Sequence, residues 1–157
     1  MPDPQKIDFL INKFPSLLRT LPGDAKGTWG VMNAQQMVEH FILSVKNASG
    51  KLSHPAVNEG ERLQKFREFL FSDKSFKENT KNPILGEQPL SVHYPSMQAA
   101  IDKLQTELNY FADTFQKNPG LTTLNPIFGE LDFDGNVQLL HKHALHHLRQ
   151  FGLLASS

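Results

Sequence analysis

The 157-residue chain has the length of one ordinary domain, and we expect a single domain spanning residues 1–157 around one hydrophobic core. Lysine plus arginine and aspartate plus glutamate each number 16, so no overall basic field favours a nucleic acid or an anionic membrane as partner. The chain contains no cysteine, which excludes disulfides, thiolate metal sites and a cysteine nucleophile. Histidine, carboxylate and hydroxyl groups remain to carry any chemistry.

The N-terminal sequence shows no sign of a targeting segment. It lacks a charged start followed by an apolar run, and no stretch of the chain approaches the ~20 apolar residues of a membrane span. We therefore expect a soluble, cytoplasmic protein that has no association with membranes.

The first part of the chain predicts two helices separated by a turn. Apolar residues recur at helical spacing from Ile7 to Phe14, and Pro15 interrupts or bends this helix because it has no amide hydrogen to donate. A turn-like stretch follows at 22–28. Asn33, with a glutamine three residues later, forms the capping box of a second helix that ends near 47–50.

The middle of the chain, residues 51–95, is broken repeatedly by proline and glycine. Only the piece 61–71 has helical periodicity. The polar, mildly basic run 73–81 is typical of a solvated loop. We predict an irregular, partly helical connection here.

The C-terminal part predicts two longer helices. Ser96 caps a segment that carries an unbroken apolar stripe to Lys117, and after a loop Asp132 can cap a last helix running to about Leu154. Strand signals are almost absent. These features together predict an all-α protein, an up-down four-helix bundle with an embellished middle connection.

Four of the seven histidines fall between residues 141 and 147. At ~100° per helical residue, His143 and His147 lie about 40° apart and one turn from each other, which lets two imidazoles reach one ion. His147 falls on the predicted core arc and His143 borders it. Two buried histidines with ordinary polar partners would explain the same spacing equally well.

The remaining histidines are less well placed for the same ion. His146 lies roughly 100° from His147 but could pair with His143, so it is the reserve ligand. His141 is set aside, and His54 and His93 are assigned to loops. A third ligand from a facing helix is His40, between the apolar residues at 37 and 41, although a partly buried histidine without metal also fits that position.

Neighbouring polar and aromatic residues receive more ordinary roles. Gln150, about 60° from His147 on the side of His143, could hydrogen-bond a ligand or bound water, or could simply lie at a helix seam. We predict that Glu39 and Arg149 are surface or partner-helix charges, and that Trp29 packs at the start of the second helix.

Two blocks of sequence resemble the DinB-like, or YfiT-like, superfamily of metal-binding four-helix bundles, and in particular a branch of unknown function. They are the segment 29–40, WGVMNAQQMVEH, and the segments 125–131, NPIFGEL, and 143–152, HALHHLRQFG. Asn136 departs from the pattern, since an aromatic residue is expected there in the related branch.

The resemblance implies a three-histidine site formed by His40, His143 and His147, with nickel, zinc or iron as the divalent metal ion. Three neutral ligands leave a position open for water or substrate, which suits Lewis-acid chemistry. Relatives include thiol S-transferases, isomerases and hydrolases. We expect a metal-dependent transferase or hydrolase acting on a small molecule, and for thiol S-transfer the thiol must come from a cosubstrate.

The alternative is a non-catalytic metal-binding or dimerising helical module. In that case Phe69, Phe71 and Phe76 of the irregular segment would contribute to a homodimer contact, although phenylalanine is more often core. A third interpretation, a histidine-based pH sensor, follows from groups that titrate between pH 5 and 8.

Overall fold

The computed structural model describes residues 2–78 and 91–155, and it is mostly helical with one small two-stranded sheet. The helices and strands follow in chain order: α1 Pro4–Asp8, a π-helical turn Phe9–Lys13, α2 Phe14–Leu18, α3 Ala34–Ala48, α4 Gly60–Leu70, α5 Met97–Lys117, β1 Thr123–Asn125, β2 Gly129–Leu131 and α6 Phe133–Gln150.

The first helical segment continues through Pro15. The amide of Phe14 bonds to the carbonyl of Phe9, so the backbone widens into a π turn just before the proline. Pro15 cannot donate to the carbonyl of Ile11, which instead accepts a hydrogen bond of 2.9 Å from Gln105 on α5. The predicted interruption is therefore a local change of helix type.

The starts of the three long helices agree with the caps expected from the sequence. Asn33 and Gln36 form a reciprocal capping box at α3, Ser96 accepts from the amide of Ala99 at α5, and Asp132 accepts from the amide of Gly135 at α6. Each cap satisfies amide groups that the first helical turn leaves free. The helix α4 also matches its predicted range closely.

One hydrophobic core joins α1, α2, the π turn and the three long helices. Its fully buried members include Leu10 and Phe14 from the N-terminal segment and Phe41 from α3. Leu104 of α5 and Leu140 of α6 complete the centre of this core. The buried stripe of α6 fixes the rotation of that helix and with it the direction of its histidines.

The antiparallel hairpin of β1 and β2 was not expected, because we predicted a loop across 125–129. Its strands have three residues each, too short for an alternating pattern to be recognised. Asn125 Oδ1 accepts from the amides of Ile127 and Phe128 at 2.9 and 3.0 Å, and Gly129 has a φ of 80°. These local interactions close the turn.

Asn136 attaches this hairpin to α6. Its Nδ2 atom lies 3.0 Å from Thr123 Oγ1 and 3.1 Å from the carbonyl oxygen of Leu131, and its side chain is buried. Thr123 in turn donates to the carbonyl of Ala48 at the end of α3. The polar residue found in place of the expected aromatic thus has a structural role.

The last helix ends at Gln150, four residues before the predicted Leu154. Gly152 has a φ of 75°, and the amide of Leu153 bonds back to the carbonyl of Leu148 at 2.8 Å. This arrangement is a Schellman motif, which terminates α-helices at a left-handed glycine. The apolar residues at 153 and 154 pack against the core without being helical.

In the described residues of the middle connection, 51–78 and 91–95, the backbone is irregular outside α4. Residues 73–78 form no regular structure, as predicted for the polar run, and residues 79–81 lie outside the described part of the chain. Phe69 and Phe76 pack on a second apolar cluster around Leu70, whereas the side chain of Phe71 is 50 % exposed. Among residues 2–78 and 91–155, no helix has both the length and the apolar character needed to cross a membrane.

Candidate metal centre

His143 and His147 lie on neighbouring turns of α6, as the helical spacing predicts. Their ring centroids are 4.5 Å apart, and their Nε2 atoms approach to 2.7 Å. The buried stripe of α6 directs both rings toward α3; its members near the pair are Leu140, Ala144 and Leu148.

His40 on α3 faces this pair from the opposite helix. Its ring centroid lies 5.4 Å from that of His143 and 5.6 Å from that of His147, both edge-on. One nitrogen from each of the three imidazoles lies within 4.8 Å of the others. The three residues named by the sequence are therefore close enough to hold one metal ion.

A hydrogen-bond chain determines which nitrogen of His147 faces the centre. Gln150 Nε2 donates to the carbonyl of Trp29 at 3.0 Å, so its Oε1 is the atom 2.7 Å from His147 Nδ1. This oxygen can only accept, and the hydrogen of a neutral His147 must therefore be on Nδ1. Its Nε2 presents a lone pair to His143 and His40.

The short contact within the pair is then a hydrogen bond from His143 Nε2–H to the Nε2 lone pair of His147. Two imidazole ligands of one tetrahedral ion have nitrogens about 3.3 Å apart, given metal–nitrogen distances of ~2.05 Å. A small increase in the distance between the two rings is therefore sufficient to admit an ion. Coordination through His143 Nε2 also requires its hydrogen to move to Nδ1.

Burial keeps the three imidazoles neutral. It lowers the pKa of His40 to about 4, with a further contribution from His146. It lowers the pKa of His147 to about 3, an effect that His40 increases and the hydrogen bond to Gln150 opposes. Burial, followed by the proximity of His147, also places the pKa of His143 well below its usual range. Neutral imidazole is the form that binds a metal.

His146, the reserve ligand, does not belong to the group of three. Its ring lies 5.5 Å from that of Trp29 and 5.8 Å from that of Phe76, and it hydrogen-bonds to the backbone of Phe76. It supports the wall beside the centre. His141, set aside in the sequence, packs edge-on against Phe9.

The three histidines lie on the wall of a cavity of about 1570 Å³. Glu39 also lines it, although we expected this residue to point away from the site: its carboxylate accepts from the amide of His93 at 2.6 Å. Trp29 contributes both its ring and its carbonyl to the surroundings of the centre. His54 and His93, predicted in loops, do lie in irregular segments and reach the cavity lining.

The contact of Trp29 with Gln150 could not be read from helical periodicity, because it joins residues 121 positions apart. A signal was nevertheless present in the glycine that follows the tryptophan. Gly30 has a φ of 80°, and a Cβ atom placed on it would lie 2.9 Å from Gln150 Nε2. The glycine allows the backbone to approach the glutamine closely.

Comparisons of the chain with protein-family models, with curated proteins and with solved structures find no match. The assignment of a function therefore depends on the chemistry of the site.

Proposed function

We propose that the protein is a divalent-metal-dependent transferase or hydrolase that acts on a small molecule. Its metal ligands are His40, His143 and His147, and the ion is nickel, zinc or iron. The observation that carries this proposal is the convergence of three imidazoles, one buried and two half-buried, within 4.8 Å at the wall of a large cavity. Three imidazoles with open positions suit any of these ions.

The bound ion supplies Lewis-acid chemistry. It lowers the pKa of a coordinated water molecule or polarises a carbonyl group of the substrate, and the cavity provides space for that substrate beside the ligands. Since the chain has no cysteine, S-transfer would use the thiol of a cosubstrate, and His40, His143 and His147 would hold the ion that activates it. Gln150 positions His147 through its Nδ1 atom and supports the ligand from outside.

The proposed fold family is the DinB-like superfamily, with an up-down arrangement of four helical segments. The core shared by the N-terminal segment, α3, α5 and α6 supports this assignment. So does the placement of one proposed ligand on α3 and two on α6, which is the distribution that the sequence resemblance implies.

Metal content tests the site directly. Purified wild-type protein, the variant His143→Ala and the control variant His93→Ala should be loaded with zinc or nickel, dialysed and measured by elemental analysis. We expect about one ion per chain in the wild type and the control, and a loss of most of it in His143→Ala. Equal, negligible metal in all three samples would reject the metal centre.

Turnover tests the reaction. Metal-loaded and chelator-treated protein should be screened for thiol transfer and for ester and amide hydrolysis. We expect activity that disappears with the chelator and returns on reloading. A protein that binds one ion but has no metal-dependent turnover would instead be the non-catalytic metal-binding module. The dimer contact has less support, because Phe69 and Phe76 pack within the chain.

A further inference from the structure

The cavity beside the histidines collects positive charge. The chain as a whole has equal numbers of basic and acidic residues, 16 of each. Among the described residues that line the cavity, Glu39 is the one carboxylate, whereas the lysines and arginines are Lys46, Arg62, Lys65, Lys74 and Lys77. The lining is therefore cationic in a protein that is neutral overall.

The carboxylate of Glu39 is already committed to its neighbours. Besides the amide of His93, it accepts from the side chain of Gln35 at 3.0 Å and from the amide of Tyr94 at 3.4 Å. These donors hold it against the 93–94 segment. It offsets little of the positive charge at the other end of the cavity.

Lys74 and Lys77 lie in the irregular segment on either side of Phe76, near the histidines, whereas Lys46 and Arg62 lie at a distance from them along two separate helices. Lys46 follows His40 on α3 by six residues, which is about 9 Å at the helical rise of ~1.5 Å. On α4, Phe69 marks the histidine end, because its ring contacts that of Phe76, which lies 6.4 Å from the ring of His143. Arg62 precedes Phe69 by seven residues, or about 10 Å.

The walls between these two ends are apolar and aromatic. They include Leu43 of α3, Phe66 of α4, Ile127 and Phe128 of the hairpin turn, and Leu139 of α6. A small molecule that lies along the cavity thus meets imidazoles at one end, hydrocarbon in the middle and ammonium or guanidinium groups at the other.

We propose that the substrate is an elongated amphipathic anion, with its reacting group at the histidines, an apolar or aromatic body, and a carboxylate or phosphate facing Lys46 and Arg62. The orientation rests on the proposed function, since the metal determines which end reacts. The preference for an anion does not, because it follows from the lining alone. Low-dielectric walls strengthen this preference by focusing the field of the basic groups.

Three probes with one common body separate charge from hydrophobicity: 4-phenylbutyrate, 4-phenylbutanol and 4-phenylbutylammonium. Their binding to full-length protein should be measured by isothermal titration calorimetry, both with zinc bound and after chelation. We expect the butyrate to bind roughly tenfold more tightly than the alcohol in both forms, and the ammonium most weakly.

Matched variants test which basic residues produce the preference for the anionic probe. The double variant Lys46→Gln/Arg62→Gln should reduce the preference for the anion to roughly twofold or less. The control Lys13→Gln/Lys117→Gln removes the same amount of charge at exposed positions outside the cavity lining. This control should retain the preference for the anion. Circular dichroism checks that both variants are folded.

Several results would overturn the proposal. They are equal binding of the three probes, a preference for the ammonium, no binding of any probe, or butyrate binding that requires zinc and is unaffected by Lys46→Gln/Arg62→Gln. The last result would identify the probe as a simple metal ligand. The metal centre can fail independently, because a protein without metal that still selects the anion would reject the proposed function and retain this inference.

Discussion

Two groups of buried or half-buried ionisable side chains differ in how they compensate the cost of leaving water. The side chain of Glu107 on α5 has no exposed surface, and Lys51 and Lys103 each approach its carboxylate to 2.9 Å. The histidine centre contains three imidazoles, and His147 donates its Nδ1 hydrogen to the neutral side-chain amide oxygen of Gln150. In the acid cluster, formed by Glu107, Lys51 and Lys103, the buried negative charge is neutralised by the two lysines. The histidine centre has no such internal counter-charge and offers lone pairs to a cation.

Added metal should give the largest difference in stability between variants of the histidine centre and variants of the acid cluster. With zinc at about 1,000 times its dissociation constant, the free energy of unfolding of the wild type should rise by about 4 kcal/mol, because the ion binds the folded chain. His147→Ala should lose nearly all of this gain, and Glu107→Gln should retain it. Thermal unfolding with and without zinc measures the effect. An equal shift in both variants would contradict the assignment of the ligands.

The pH dependence of stability should also differ between the groups in metal-free protein. The folded-state pKa values of His40, about 4, and His147, about 3, lie below the ordinary ~6.5, so the unfolded chain binds more protons between these values. Stability should therefore fall as the pH drops from about 6.5 toward 4, by up to roughly 1.4 kcal/mol per pH unit for each histidine.

Urea unfolding at a series of pH values measures this slope. His147→Gln should reduce the slope above pH 4.5, and Glu107→Gln should leave it unchanged in the same range. A free energy of unfolding that remains constant from pH 7 to pH 4 in the wild type would show that the buried histidines accept protons without cost.

The acid cluster should respond over a more acidic range. Burial raises the pKa of Glu107, but the hydrogen bonds and charges of Lys103 and Lys51 lower it by more, so its pKa lies below the ordinary value of about 4.5. Its stabilisation is present above that value and is lost as the pH falls through the lowered pKa. Glu107→Gln should cost about 1–3 kcal/mol at pH 7.

The exposed control Glu68→Gln should change stability by no more than about 0.5 kcal/mol. The difference between wild type and Glu107→Gln should narrow as the pH is lowered toward 3. A difference that is the same at pH 7 and pH 3 would mean that the charge of Glu107 contributes nothing and that only its packing matters.

The resemblance to the DinB-like superfamily, and not periodicity, supplied His40 as the third ligand, whereas sequence periodicity was sufficient for the three long helices and for placing His143 beside His147. These features depend on capping residues and on apolar stripes, both of which are local patterns. The hairpin, the end of α6 at Gly152 and the anchoring of Gln150 depend on backbone geometry or on contacts between distant residues. No local pattern in this chain encodes such contacts, with the exception of the glycines that permit them.

The smallest expected effect concerns the support of His147 through the Trp29 carbonyl. In Gly30→Ala the new Cβ atom would lie 2.9 Å from Gln150 Nε2, so the amide must move and His147 loses its fixed orientation. We expect roughly tenfold weaker zinc binding, at the low end for the loss of a supporting partner.

Gly152→Ala is the matched control, because Gly152 also has a positive φ, 75°, but has no neighbouring atom within 4 Å of the added Cβ. Both substitutions introduce similar backbone strain of about 1–2 kcal/mol, which unfolding measurements should confirm. Zinc affinity, measured by competition with a chromophoric chelator, should therefore fall in Gly30→Ala alone. Equal zinc affinity in the two variants would show that Gln150 does not orient the ligand, and the histidine centre would then depend on helix packing only.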